Sequence, residues 1–177
     1  MIIQDPYFNR PEISNSVLTE FEKYFMNADQ IANIETAYRF GSMYDAMVLE
    51  PHLVDHIKMQ IGDVQFFSHE WDKGKEMLKH LRKDIFVMDL LKKSETQKMF
   101  TKHKMTVEHG GVKFLMDMRC KYDAWMKSAH WGWDLKTTIA TTQQQFIDAC
   151  MFMDYDRSRY VYMNISSEKK DMIIGQS

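Results

Sequence analysis

Three extended runs follow one another in the second half of the chain, and they restrict the folds that it can adopt. The first two flank Gly110 and Gly111 in "KMTVEHGGVKFLMDMRCKYDAW", and the third is "WGWDLKTTI". Adjacent glycines suit a two-residue hairpin turn, because both of its positions can require a positive φ. Thr141 or Thr142 can then cap a helix, and "KKDMIIGQS" is typical of a final strand. Residues 105–177 are therefore predicted to form a β-β-β-α-β unit.

Residues 1–104 are predicted to be mainly helical. In "ETAYRFGSMYDAMVLE" the apolar residues recur at steps of three and four, and Pro51 ends the segment. The stretch "EWDKGKEMLKHLRKDIFVMDLLKKS" is charged on one side and apolar on the other, which indicates a further helical region. A chain of 177 residues with 45% hydrophobic content suits a single domain. Helices followed by β-β-β-α-β indicate an α+β domain, residues 1–177, with a central mixed sheet.

Composition excludes few partners. The 23 basic and 25 acidic residues give a net charge of -2, so the total charge neither demands nor forbids a nucleic acid. Neither a signal peptide nor an apolar span long enough for a membrane is found, and the two cysteines lack metal-type spacing. We therefore expect a cytoplasmic protein that does not contact a membrane.

Two of the extended runs carry an acidic residue near one end. Asp123 and Asp134 are 11 residues apart, so adjacent strands would bring both carboxylates to one edge of the sheet. Side chains alternate along a strand, so Lys136 projects to the same side as Asp134. Mg²⁺ prefers carboxylate, carbonyl and water oxygens, and the carbonyl of Leu135 lies between these side chains. The lysine would hold or deprotonate a water, or stabilise charge on a phosphate oxygen. The pattern suits phosphodiester hydrolysis, although D-x-K alone is usually a surface ion pair.

The block "GWDLKTT", preceded by the acid of "RCKYDAW", resembles the core of the PD-(D/E)XK nuclease superfamily, specifically the branch of exodeoxyribonuclease VIII (RecE) and lambda exonuclease. "ISNSVLTEF" is similar to the start of that branch's N-terminal helix, and "GSMYDAMVLEP" to its Leu-Glu-Pro segment. "FIDACMFMDYDRSRYVYM" is similar to the helix after the catalytic strand. The resemblance covers residues 13–177. It implies a restriction-endonuclease-like core with a central mixed sheet flanked by helices and an N-terminal helical region.

Carried over residue by residue, the resemblance implies three catalytic residues. Asp123 and Asp134 would be metal ligands, Leu135 a main-chain ligand and Lys136 the catalytic lysine. The implied cofactor is Mg²⁺, with Mn²⁺ as a substitute. Asp45 stands where the branch usually has a metal-binding His, and a carboxylate can still bind Mg²⁺ directly or through water.

The helix after the catalytic strand carries the side chains expected to contact DNA. Ser158 occupies the position of a Gln in the branch's Gln-x-x-x-Tyr pattern and does not reach as far, while Tyr162 is retained. Arg157 and Arg159 flank Ser158 and are expected to grip phosphates, with solvated surface charge as the alternative. The departures at Asp45 and Ser158 put the efficiency of catalysis in doubt.

The implied function is an exonuclease that degrades one strand of linear duplex DNA in phage or prophage recombination, in a bacterial or phage-infected cell. The resemblance further implies a single-strand annealing partner and a homo-oligomeric ring. The abrupt end after "IIGQS" suggests that terminal elements of the branch are missing. Two alternatives stay open. One is a catalytically weakened DNA-binding module of the same fold, and the other is a related nuclease that cuts single strands or specific structures.

Overall fold

The computed structural model describes residues 7–26 and 34–177, which adopt an α+β fold. The helices are α1 (Asn15–Met26), α2 (Ile34–Leu49), α3 (Ser68–Leu81), α4 (Ile85–Lys93), α5 (Gln143–Phe152) and α6 (Tyr155–Ser166). The strands are β1 (Val54–Asp55), β2 (Gln60–Ile61), β3 (Val64–Gln65), β4 (Glu95–His109), β5 (Val112–Met126), β6 (Trp131–Thr137) and β7 (Lys170–Gln176). Among the helices in these ranges, none is both long enough and apolar enough to cross a membrane.

The central sheet is mixed, as the sequence predicts. Its strand order is β4-β5-β6-β7, with antiparallel pairing from β4 to β6 and parallel pairing of β6 with β7. A parallel pair needs a crossover connection, and α5 and α6 supply it. A small antiparallel sheet of β1, β2 and β3, which the sequence does not predict, lies between α2 and α3.

The long hairpin of β4 and β5 turns at the two glycines. Gly110 and Gly111 have φ values of 58° and 78°, so the prediction of positive φ at both positions is confirmed. β4 begins at Glu95, well before the change of pattern at residue 105. The segment "ETQKMFTKHK" is mostly polar, so it shows no clear alternation of apolar and polar side chains. A register shift between Lys102 and Met105 interrupts the pattern further. Cross-strand pairing therefore extends the strand where the local pattern does not.

The helical region predicted over residues 70–94 is confirmed, and it consists of two helices. α3 ends at Leu81, and α4 begins after Asp84, whose side chain accepts a hydrogen bond from the backbone N–H of Val87 at 3.1 Å. An aspartate that caps a helix in this way stabilises a new start by about 1 kcal/mol. The break lets both helices turn apolar side chains inward, and Leu78 and Leu90 join one core cluster.

Alternation along β6 divides its side chains between two environments. Trp133 and Leu135 are fully buried in a core cluster that includes Met43 of α2 and Trp71 of α3. Burial of each such side chain contributes about 1.5–3 kcal/mol. Asp134 and Lys136 alternate with them and project from the other face of the strand. That face is covered by α6, which packs on β5 in a second cluster containing Tyr122 and Ile165.

Candidate active site

The two predicted carboxylates lie where the β5–β6 ladder ends. Ala124 pairs with Trp133, and beyond that pair each aspartate bonds the main chain of the opposite strand. Asp134 Oδ1 accepts from the N–H of Asp123 at 3.3 Å, and Asp123 Oδ2 accepts from the N–H of Leu135 at 2.8 Å. These bonds satisfy backbone donors that would otherwise be unpaired in a buried region. They also fix one oxygen of each carboxylate, so the strand ends themselves hold the two side chains in place. We call this end of the β5–β6 pair the fork.

Lys136 joins the carboxylates as predicted. Its Nζ lies 3.2 Å from Asp134 Oδ2 and 3.7 Å from Asp123 Oδ2, and it donates to the carbonyl oxygen of Leu135 at 3.2 Å. Burial alone would lower the pKa of Lys136, but attraction to Asp134, Asp123 and Asp45 outweighs burial and raises it. The amine is therefore firmly protonated. A protonated amine suits one of the two roles expected for it, the stabilisation of negative charge.

Asp45 of α2 lies close enough to interact electrostatically with Asp123, Asp134 and Lys136. Its Oδ1 is buried and finds no hydrogen-bond partner among residues 7–26 and 34–177. Burial, and then the negative charge of Asp123, raises the pKa of Asp45 well above its usual range, although Lys136 opposes the shift. An unpaired buried carboxyl oxygen is costly unless it protonates or meets a cation. Asp45 is thus electrostatically coupled to Asp123 and Lys136.

The two central aspartates have opposite pKa shifts. Burial and the neighbouring Asp134 raise the pKa of Asp123 to about 6. Burial also acts to raise the pKa of Asp134, but the cations Lys136 and Arg159 outweigh it and lower that pKa. When all three are ionised, Asp45, Asp123 and Asp134 outnumber the cations Lys136 and Arg159, and a further cation would neutralise the surplus negative charge.

The donors suit a hard cation, although the protein does not build a complete cage. In residues 7–26 and 34–177, no group of three or more His, Cys, Asp or Glu side chains is arranged to hold a metal ion. Mg²⁺ is commonly held by one or two carboxylates, with waters and substrate phosphates completing its octahedron. Asp123, Asp134 and the carbonyl of Leu135 supply that smaller set, and Asp45 is close enough to Asp123 for their charges to interact. The residues present therefore fit the implied metal.

The residues expected to bind DNA occupy different environments. Arg157 bonds the Oγ1 of Thr19 at 2.8 Å and pairs with Glu22 on α1, away from the carboxylates. Ser158 is buried and donates to the carbonyl of Tyr155 at 2.8 Å. Tyr162 packs its ring edge-to-face on Tyr122. The structure thus brings neither Arg157 nor Ser158 into contact with the carboxylate pair.

Arg159 does reach the site, but as a buried partner of Asp134, at 2.8 Å between its Nη2 and Asp134 Oδ2. Its second carboxylate neighbour, Asp171 of β7, lies 3.6 Å away and does not appear among the residues predicted from sequence. The available signal for Asp171 is an acid near the start of the otherwise apolar run "MIIG". Tyr155 is a further neighbour that the sequence does not indicate, with its ring centroid 6.0 Å from the Nζ of Lys136.

Without metal, the protein is expected to lose a few kcal/mol of stability as pH rises from about 4 to about 7, since one pKa unit corresponds to about 1.4 kcal/mol. Burial raises the pKa of Asp123 to about 6 and that of Asp171 to about 7. Their folded carboxyls keep protons that the unfolded chain releases near pH 4, so this stabilisation is present below that pH and lost through the folded values. The lowered pKa of Asp134 acts only at more acid pH.

Thermal unfolding at a series of pH values, with and without Mn²⁺, checks this expectation. Added metal should remove much of the decline, because a cation favours the ionised carboxylates. A melting temperature that stays constant or rises between pH 4 and 7 in the metal-free protein would contradict the assigned charge pattern.

Comparison with known proteins identifies the fold. No family model matches the chain, and no curated protein matches it. The crystal structure of a candidate exonuclease from Eubacterium rectale is similar to it, with a TM-score of 0.53 and 17% sequence identity. The match covers 84% of this chain and 55% of that one, so this chain spans about half the length of its structural neighbour. At this identity the likeness shows a shared fold and does not single out the branch of RecE and lambda exonuclease.

Proposed function

We propose that the protein is a metal-dependent deoxyribonuclease that hydrolyses phosphodiester bonds at Asp123, Asp134 and Lys136. The observation that carries this proposal is the fork between β5 and β6, where two carboxylates are each tied by one oxygen beside a protonated lysine. The structural neighbour described as a candidate exonuclease supports the same class of reaction. Mg²⁺ is the proposed cofactor and Mn²⁺ its substitute.

The groups at this site have different proposed roles. Asp123 and Asp134, with the carbonyl of Leu135, would hold the metal, and Asp45 would take part directly or through water. When bound, the metal supplies Lewis acidity and lowers the pKa of a water that attacks phosphorus. The ammonium of Lys136 is positioned to stabilise the charge that develops on a phosphate oxygen. Its contacts with both aspartates hold it there before substrate arrives.

The finer assignment is an exonuclease that degrades one strand of a linear duplex. The resemblance of "GWDLKTT" to the exonuclease branch and the structural neighbour both favour an end-dependent enzyme. A role in phage or prophage recombination, an annealing partner and a homo-oligomeric ring rest on the sequence resemblance alone. They belong to this proposal as its biological setting.

Digestion of end-labelled linear duplex DNA tests the proposal, with closed circular DNA of the same sequence beside it. We expect the linear duplex to be shortened only when Mg²⁺ or Mn²⁺ is present, and the circle to stay intact. Asp134→Asn should lower the rate by at least about 100-fold, because removal of one stabilising group at a reacting centre commonly costs 10²–10³. Asp117→Asn is a matched control, since Asp117 lies on the same strand as Asp123 but is exposed and bonds His103.

The outcomes separate the candidate functions. Cleavage of the circle would replace the exonuclease with an internally cutting nuclease. DNA binding by the wild-type protein without cleavage under any metal would overturn the enzyme in favour of a binding module.

A further inference from the structure

Arg159 is enclosed on several sides at the base of the carboxylate site. Its Nη2 lies 2.8 Å from Asp134 Oδ2, and its Nε donates to the Oγ of Ser158 at 3.3 Å. The guanidinium carbon lies 4.0 Å from the ring centroid of Tyr162. The side chain is only 10% exposed. A guanidinium buried in this way is committed to its protein partners, so it is poorly placed to follow a DNA backbone.

The two carboxylate oxygens of Asp134 have different partners. Both cations, Arg159 and Lys136, gather on Oδ2, at 2.8 and 3.2 Å. Oδ1 is thereby turned toward the backbone N–H of Asp123, at the long distance of 3.3 Å. Charge-assisted bonds to Oδ2 are stronger than this neutral one. Arg159 therefore determines which oxygen of Asp134 is presented on the side of Asp123.

Asp171 forms a second ion pair with Arg159. It lies on β7 beside Gly132 of β6, and its Oδ2 is 3.6 Å from the Nη1 of Arg159. Its side chain is 2% exposed, and its separation from Arg159 is that of an ion pair and too long for a good hydrogen bond. Because the Arg159 guanidinium is a cation close to it, the Asp171 carboxylate attracts that guanidinium toward the sheet. A cavity of about 740 Å³, lined in part by Arg159, Asp171 and Lys170, opens beside this pair.

We propose that Arg159 is a positioning residue, which orients the Asp134 carboxylate for a divalent cation and is itself held by Asp171. This inference rests on the proposed function and assigns Arg159 a place in it that differs from phosphate binding. Groups that orient a metal ligand typically change metal affinity or activity by 10- to 100-fold when they are removed. Without the guanidinium, the Asp134 carboxylate would be free to turn toward Lys136 alone.

Arg159→Met in the full chain tests the inference. We expect Mn²⁺ affinity, measured by electron paramagnetic resonance, to fall 10- to 100-fold. kcat should fall while KM for DNA, and DNA affinity in EDTA, stay unchanged. Arg119→Met is the matched control, because Arg119 is also buried but donates to the carbonyl of Arg10 at 2.7 Å and stacks on Tyr7. It should lower the melting temperature without changing Mn²⁺ affinity.

A second variant keeps the test independent of folding. Arg159→Ala should regain part of its Mn²⁺ affinity when millimolar guanidinium is added, since the adjoining cavity gives a route to the vacated place. If wild-type protein binds Mn²⁺ and the folded Arg159→Met variant binds it equally well, the positioning role is wrong and the nuclease proposal survives. A loss of DNA affinity in EDTA would instead assign Arg159 to phosphate binding. Wild-type protein that neither binds Mn²⁺ nor cuts DNA overturns both.

Discussion

Replacing Lys136 by methionine is expected to lower the rate of DNA cleavage by about 10²–10³, the usual effect of removing one group that stabilises developing charge. The amine contacts both aspartates and is kept protonated by them. Methionine retains most of the volume and removes the charge. Because the charge that Lys136 would stabilise develops only in the transition state, kcat should change and KM for DNA should not.

Single-turnover cleavage of a labelled duplex at saturating Mn²⁺ measures this effect. Lys113→Met is a suitable control, because Lys113 is exposed, pairs with Glu108 beside the hairpin turn and lies at the other end of β5 from Asp123. Lys136→Arg should restore part of the rate, since it keeps the charge with a different shape. Full activity in the methionine variant would remove Lys136 from the chemistry.

Replacing Gly132 by alanine is expected to destabilise the fold by about 1–3 kcal/mol or more, as overpacking of a close-packed core does. A Cβ at this position would lie 2.2 Å from the Cδ1 of Tyr122. That ring is fully buried and cannot easily retreat, because it packs edge-to-face on Tyr162 and Phe100. Its hydroxyl also bonds the Oγ of Ser166 at 3.2 Å.

Urea unfolding measures the change in the free energy of unfolding, and two further variants serve as controls. Gly41→Ala places its Cβ 3.5 Å from Thr137 Oγ1, an ordinary contact in a helix, and should stabilise the protein by about 0.5–1 kcal/mol. Tyr122→Leu combined with Gly132→Ala should cost less than the sum of the two single changes, because the leucine makes room for the methyl group. Additive costs would show that Tyr122 is not the obstacle.

The local parts of this structure can be predicted from sequence. Alternation along a strand is enough to place Lys136 on the side of Asp134, and the run ending at Asp123 is adjacent along the chain. The hairpin at Gly110 is equally local, since its turn depends on the two glycines themselves. The structure brings these groups together, while their catalytic roles stay predictions.

Features that depend on distant packing are those that the sequence does not reveal. Arg159 looks like a surface cation in its helix, and only the packing of α6 on the sheet turns it onto Asp134. Asp171 becomes its neighbour through the parallel pairing of β7 with β6, which no local pattern encodes. The helix break at Asp84 follows from capping, which competes with a continuous helical period.

The most direct test of the central claim is the anomalous difference density of crystals soaked in Mn²⁺. The account predicts a peak within about 2.0–2.6 Å of oxygens from both Asp123 and Asp134, the range of metal–oxygen bonds to hard cations. The peak should be absent in Asp134→Asn crystals. Wild-type crystals that bind Mn²⁺ elsewhere, with no density between these two aspartates, would contradict the account.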